Sequence, residues 1–235
     1  MKLDARLGLF LALVSVFMTC LVVGNLTGSK VTSLWLFDRE WPFSVGQLAF
    51  PITFILTDIL NEFYGRKVVR RITLLGFCMI GLMLGIVYAS SLMPFASFAV
   101  EPHFVTAREF DRVFTQAMWI QVASMIAFLI GNFIDISVFF VLKRITKDKM
   151  LWLRATGSTA VSQLVDTVVI TAIAFGHTMT FEIYLVTVLT SYAIKLLAAI
   201  GITPILYALH AVIENRFGLA PAPVEEASAD IAGRD

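Results

Sequence analysis

Hydrophobic residues in this chain come in long, nearly unbroken runs, and polar residues gather in short stretches between them. A helix crossing about 30 Å of hydrocarbon at about 1.5 Å per residue needs roughly 20 apolar residues. Six runs approach or exceed that length, at residues 8–29, 47–63, 72–93, 114–142, 159–176 and 183–213, and Pro, Gly, Arg and Lys punctuate the gaps. The pattern predicts an all-α polytopic membrane protein with six transmembrane helices. The first run follows Lys2 and Arg6 like a signal peptide, but it is longer than a usual h-region and lacks a small-x-small cleavage site, so it is read as a retained span.

Composition agrees with this reading. The 235 residues are 58% hydrophobic and 15% charged, with a mean hydropathy of +0.85, which excludes an ordinary soluble globule. Lys and Arg number 18 against 17 Asp and Glu, so there is no basic excess to hold nucleic acid. Cys20 and Cys78 sit inside apolar runs, and His103, His177 and His210 are scattered, so neither a disulfide framework nor a metal-ligand spacing is present. Thirteen of the 18 basic residues fall at the N-terminus, in the second-to-third and fourth-to-fifth loops and in the tail; four fall in the other loops and Lys195 lies within a span. By the positive-inside rule both termini are cytoplasmic. Residues 1–217 form one membrane domain, and residues 218–235 read as a disordered cytoplasmic tail. Three spans in each half is the count an inverted-topology 3+3 repeat requires, with Asn25 and Asn132, and Asp58 and Asp166, at matching places.

Charged groups in hydrocarbon cost several kcal/mol by most scales, so each intramembrane charge marks a candidate site. Asp58, Asp135, Asp166 and Lys195 all lie deep enough to share one central layer. Gln163 and Asp166, three residues apart, present an amide and a carboxylate from one helix face. Asn25, Gln121 and Asn132 add amides; Thr167, Thr171, Ser191 and Tyr192 add hydroxyls that would serve equally as interhelical glue. Lys195 is expected to pair with an aspartate. Glu62, on the face of Asp58 but nearer the interface, is expected to meet Arg66 or water. Pro51 and Pro204 interrupt spans, Phe50, Phe54, Trp119 and Tyr192 offer ring surfaces, and Trp35, Trp41 and Trp152 sit where interfacial anchors belong.

The segment AFPITFILTDILNEFYGRKVVRR (residues 49–71), with RATGSTAVSQLVDTVVITAIAF in the fifth span and SYAIKLLAAIGITPILYAL in the sixth, resembles the queuosine precursor transporter family, one of the vitamin uptake transporters. The resemblance covers all six spans and rests on Phe50-Pro51, Asp58, Gly131 with Asp135, Ser158-Thr159, Gln163 with Asp166-Thr167, Tyr192, Lys195 and Pro204. It implies import of 7-cyano-7-deazaguanine and 7-aminomethyl-7-deazaguanine across a bacterial inner membrane. A guanine-like ring presents N1–H beside an exocyclic amine, a donor pair that one carboxylate accepts bidentately. On that implication Asp166 is the carboxylate and Gln163 or Asn132 addresses the remaining edge. Lys195 donates to the ring carbonyl or holds an aspartate, and Phe50 or Tyr192 stacks. Asp58 or Asp135 takes an aminomethyl cation, and Asn25 completes the set.

No cofactor is expected, and no nucleotide-binding motif is present. The alternative is a substrate-binding membrane subunit of an ATP-driven vitamin importer, which would need an ATPase partner. An intramembrane aspartyl protease lacks its Gly-x-Gly-Asp setting here, and a helix scaffold would tolerate loss of the aspartates. Gly76, Gly81 and Gly85 allow a close helix approach, as in a homodimer.

Overall fold

The computed structural model describes residues 5–36, 38–96, 105–115, 118–147, 149–177 and 179–223. Its elements in order are α1 (Ala5–Thr27), β1 (Val31–Leu36), β2 (Arg39–Ser44), a 3-10 turn (Val45–Ala49), α2 (Phe50–Ser91), α3 (Ala107–Phe110), a π turn (Asp111–Thr115), α4 (Met118–Thr146), α5 (Leu151–Phe175), α6 (Phe181–Gly201) and α7 (Thr203–Phe217). Five helices are long and apolar enough to cross a membrane among the described residues. The membrane-protein class read from the hydrophobic runs therefore holds.

The second and third apolar runs, expected to be separated by a loop at 64–71, lie in one assigned helix of 42 residues, twice the length that crosses hydrocarbon. Gly65 divides it, with φ 77° and ψ 169°, a combination that only glycine adopts without strain. Contacts with α1 give the direction of each arm. Phe10 packs on Tyr64 with ring centroids 4.8 Å apart, Gly24 lies beside Ala49, and Leu21 lies against Gly76. Residues 50–64 thus run down α1 and residues 66–91 run back up it.

Residues 55–63 are buried without interruption, so the first arm of α2 is the central helix. One apolar cluster joins it to α1 and α4 through Phe17, Leu21, Leu60, Ile80, Ile136 and Phe139. A second joins it to α5 and α7 through Ile59, Phe63, Leu151, Leu206 and Ile213. Exposed apolar residues such as Leu74, Leu82, Ile86, Leu189 and Leu197 lie on the outer helices, as lipid contact demands. The closest helix packing is between α4 and α5. A methyl on Gly157 would stand 2.8 Å from Leu142, and one on Gly131 would stand 3.2 Å from the Asp166 Cβ; small residues admit such an approach.

Two corrections to the sequence expectation follow from local chemistry. The first loop is an antiparallel β-hairpin pairing Val31 with Ser44 through Leu36 with Arg39; its β-branched and aromatic residues suit extended backbone, and Asp38 takes φ 57° at the turn. The sixth run, expected as one span, is two helices. Pro204 has no N–H to continue the ladder, Ile202 caps α6, and Ile205 N–H bonds Ile202 O at 2.9 Å. Of the tail, Arg6 donates to Phe217 O and Gly218 O, and Ala222 N–H donates to Glu62 O at 2.7 Å. The tail expected to be disordered falls otherwise on residues 224–235, outside the described residues.

Candidate functional site

A cavity opens between α1, the first arm of α2, α4 and α5. The space between these helices, mouth and open solvent included, is about 740 Å³, and its lining includes Asn25, Phe50, Asn132, Asp135, Gln163 and Asp166. Six of the nine expected site residues thus meet in one place. Lys195 joins them from α6, its Nζ 2.6 Å from Asp166 Oδ2 and 3.2 Å from Thr167 Oγ1, and 4.7 Å from the Phe50 ring centroid. Asp58 borders a second, smaller cavity. Tyr192 is half-buried on α6 and lines neither cavity.

The four charges expected in one layer occupy two. Asp166 and Lys195 form the outer layer with Phe50. One helical turn deeper, Asp135 accepts a hydrogen bond from Ser162 at 3.1 Å and faces Ser158 and, across the gap, Asp58. The reason is helical pitch: Asp135 stands four residues beyond Gly131, which touches Asp166, and four residues is about 6 Å of rise.

Several of the amides and hydroxyls in and beside the cavity spend their donors on their own helices. Asn25 Nδ2 donates to Leu21 O at 2.9 Å and Asn132 Nδ2 to Phe128 O at 3.1 Å. Thr53 donates to Phe50 O and Thr57 to Thr53 O. Thr167 donates to Gln163 O at 2.7 Å, so its oxygen is left to accept from Lys195. What faces the interior is therefore acceptor-rich: Asn25 Oδ1, which has no donor, Asn132 Oδ1 and the Asp166 carboxylate. Gln163 carries the amide not committed to a helix carbonyl. Phe17, Phe50, Phe54 and Phe128 form the apolar walls, with Phe50 and Phe54 stacked at 6.0 Å.

A third charged layer lies deeper still and was missed in the sequence. Glu62, expected at the interface, is 1% exposed and accepts from both Lys143 Nζ at 3.2 Å and Arg154 NH2 at 2.6 Å. His210 stacks on Phe63 with centroids 4.9 Å apart. Lys143 and Arg154 read as loop charges because they flank a basic turn. The available signal was Glu62 itself, a carboxylate four residues after Asp58 on a helix buried all round.

Comparison with known proteins gives the family. Residues 44–209 match the family described as "Putative vitamin uptake transporter", a stretch holding every candidate residue except Asn25. A protein of Bacillus subtilis (strain 168) named "Probable queuosine precursor transporter" is 31% identical over 173 residues, covering 73% of this chain and 73% of that protein. No solved structure matches the chain. A polytopic membrane protein and a transporter rather than an enzyme, the chain belongs to the vitamin uptake transporter family.

Proposed function

We propose that this protein imports queuosine precursors, 7-cyano-7-deazaguanine and 7-aminomethyl-7-deazaguanine, across the bacterial cytoplasmic membrane through the cavity around Asp166. The observation that carries the reading is the acceptor-rich lining, which suits a flat solute rich in donors. The N1–H and exocyclic amine of a deazaguanine meet the Asp166 carboxylate, whose four lone-pair sites accommodate both donors besides Lys195. Gln163 donates to the ring carbonyl, and Asn25 and Asn132 accept from the remaining N–H groups. The ring lies against Phe50, whose face Lys195 already polarises. Lys195 is a positioning residue here: it balances the Asp166 charge and fixes its rotamer. Asp135, at the cavity floor, receives the ammonium of the aminomethyl base.

The break at Gly65 and the return of residues 66–91 along α1 support six spans, with both termini and the Glu62 layer on the cytoplasmic side. In that orientation the cavity faces outward, and the Glu62–Lys143–Arg154 cluster closes the inner end. Gly81 and Gly85 have nothing within 4 Å of their would-be Cβ positions, leaving a face where a second copy would pack as a homodimer.

The test is uptake of labelled 7-cyano-7-deazaguanine by proteoliposomes holding only the purified protein. We expect saturable uptake, competed by 7-aminomethyl-7-deazaguanine and lost in Asp166→Asn. Folded wild-type protein that neither binds nor moves either base would overturn the reading.

A further inference from the structure

The smaller cavity has no role in the solute reading. Its space, open solvent at the mouth included, is about 230 Å³, walled by Phe54, Asp58, Thr156, Thr159, Ile202 and Thr203 among others. Asp58 is 5% exposed, and its Oδ1 has no hydrogen-bond donor. Among the described residues the buried cations at ion-pair distance from carboxylates hold other partners, Lys143 and Arg154 on Glu62 and Lys195 on Asp166, and Arg154 acts on Asp58 only from longer range. Asp135, the carboxylate facing Asp58, adds negative charge and brings no cation. A carboxylate so enclosed is neutralised either by a proton or by a bound cation, since an uncompensated charge there costs several kcal/mol.

The polar part of its wall is oxygen, set among apolar residues. Thr203 donates to Ala199 O at 3.2 Å, which leaves its oxygen to face Thr156 Oγ1 at 3.5 Å. The α6–α7 break stands at the same wall, where Ile205 and Leu206 both donate to Ile202 O and Pro204 donates to nothing. Carboxylate and hydroxyl oxygens suit a hard cation, and one unpaired carboxylate oxygen is matched by a single proton or a single monovalent cation.

We propose that the second cavity is a sodium site, with Asp58 as the charged ligand and Thr156, Thr159 and Thr203 supplying hydroxyl oxygens. Phe54 and Thr159 line both cavities, so an ion on Asp58 sets the wall against which the solute rests. That link to uptake rests on the transport reading; the binding of the ion does not.

The experiment is equilibrium binding of ²²Na⁺ to the purified full chain, with choline replacing sodium at constant ionic strength and no solute present. We expect about one ion per chain and a sodium-specific rise in thermal unfolding temperature. Asp58→Asn should abolish both. Thr203→Val, which preserves volume and charge, should weaken sodium binding at least tenfold while the protein still elutes as a folded species. Folded wild-type protein without sodium binding, or binding unchanged in folded Asp58→Asn or Thr203→Val, overturns the site. Sodium binding that persists where neither deazaguanine is taken up sinks the solute assignment alone.

Discussion

At the residue scale the pair Asp166–Lys195 is the charged contact at the larger cavity. Its 2.6 Å contact lies at 14% and 4% side-chain exposure, where removal of one partner strands the other charge. Lys195→Met is expected to destabilise the protein by about 3–5 kcal/mol, and the double variant Lys195→Met/Asp166→Asn to recover much of that. Thermal unfolding in detergent around the full double-mutant cycle measures the coupling; simple additivity would show that the pair is not held as drawn. Asp166→Asn alone exchanges a charge-assisted contact for a neutral one, a loss of about 1.5–3 kcal/mol. It should raise the apparent dissociation constant for 7-cyano-7-deazaguanine by one to two orders of magnitude in a binding assay. Asp166, Gln163 and Lys195 were legible because charge and amide in an apolar run are improbable without a task. Lys143 and Arg154 were not, since a basic residue near a span end reads the same whether it snorkels to water or turns inward to a carboxylate on another helix.

At the element scale the central feature is the first arm of α2, buried over residues 55–63 and carrying Asp58 and Glu62 into the two deeper layers. Its placement depends on the reversal at Gly65. Gly65→Ala forces a Cβ into a backbone region open to glycine, which should cost about 1–3 kcal/mol. A lowered unfolding temperature and reduced membrane yield would record it; an unchanged unfolding temperature would mean that the chain turns elsewhere. Apolar run lengths located the long helices, because a bilayer-spanning helix must be apolar along its length. They did not reveal that the second and third runs meet at one residue. A tight reversal needs one glycine, and the basic residues that read as a loop, Arg66, Lys67, Arg70 and Arg71, lie on the first turns of the returning arm. The split between α6 and α7 was signalled by Pro204, but proline is tolerated inside membrane helices, so its presence alone fixed nothing. The β-hairpin was hidden by the search for long runs, though VTSLWL has the β-branched and aromatic content of a strand.

At the scale of the whole molecule, three polar layers stand one behind another, and the Asp166–Lys195 and Asp135–Asp58 layers border the two cavities described. The innermost, Glu62 with Lys143 and Arg154, ties α2, α4 and α5 together, and Ala222 N–H binds the Glu62 carbonyl from the chain that follows α7. If that layer closes the cytoplasmic end, weakening it shifts the balance toward an inward-open state in proportion to the energy removed. Glu62→Gln leaves two buried cations without a compensating carboxylate, and even 1.4 kcal/mol of the resulting loss changes the ratio of states about tenfold. Cys20 supplies a native reporter, since it lines the solute cavity and is partly exposed, and Cys78→Ser removes the other thiol. An impermeant maleimide should label Cys20 readily in right-side-out vesicles and slowly in inside-out ones, and bound 7-cyano-7-deazaguanine should slow both reactions. In Glu62→Gln the inside-out rate should rise about tenfold while the right-side-out rate falls. Equal rates from the two sides in the wild type, or no change on substitution, would show that the cluster holds helices together without gating the cavity.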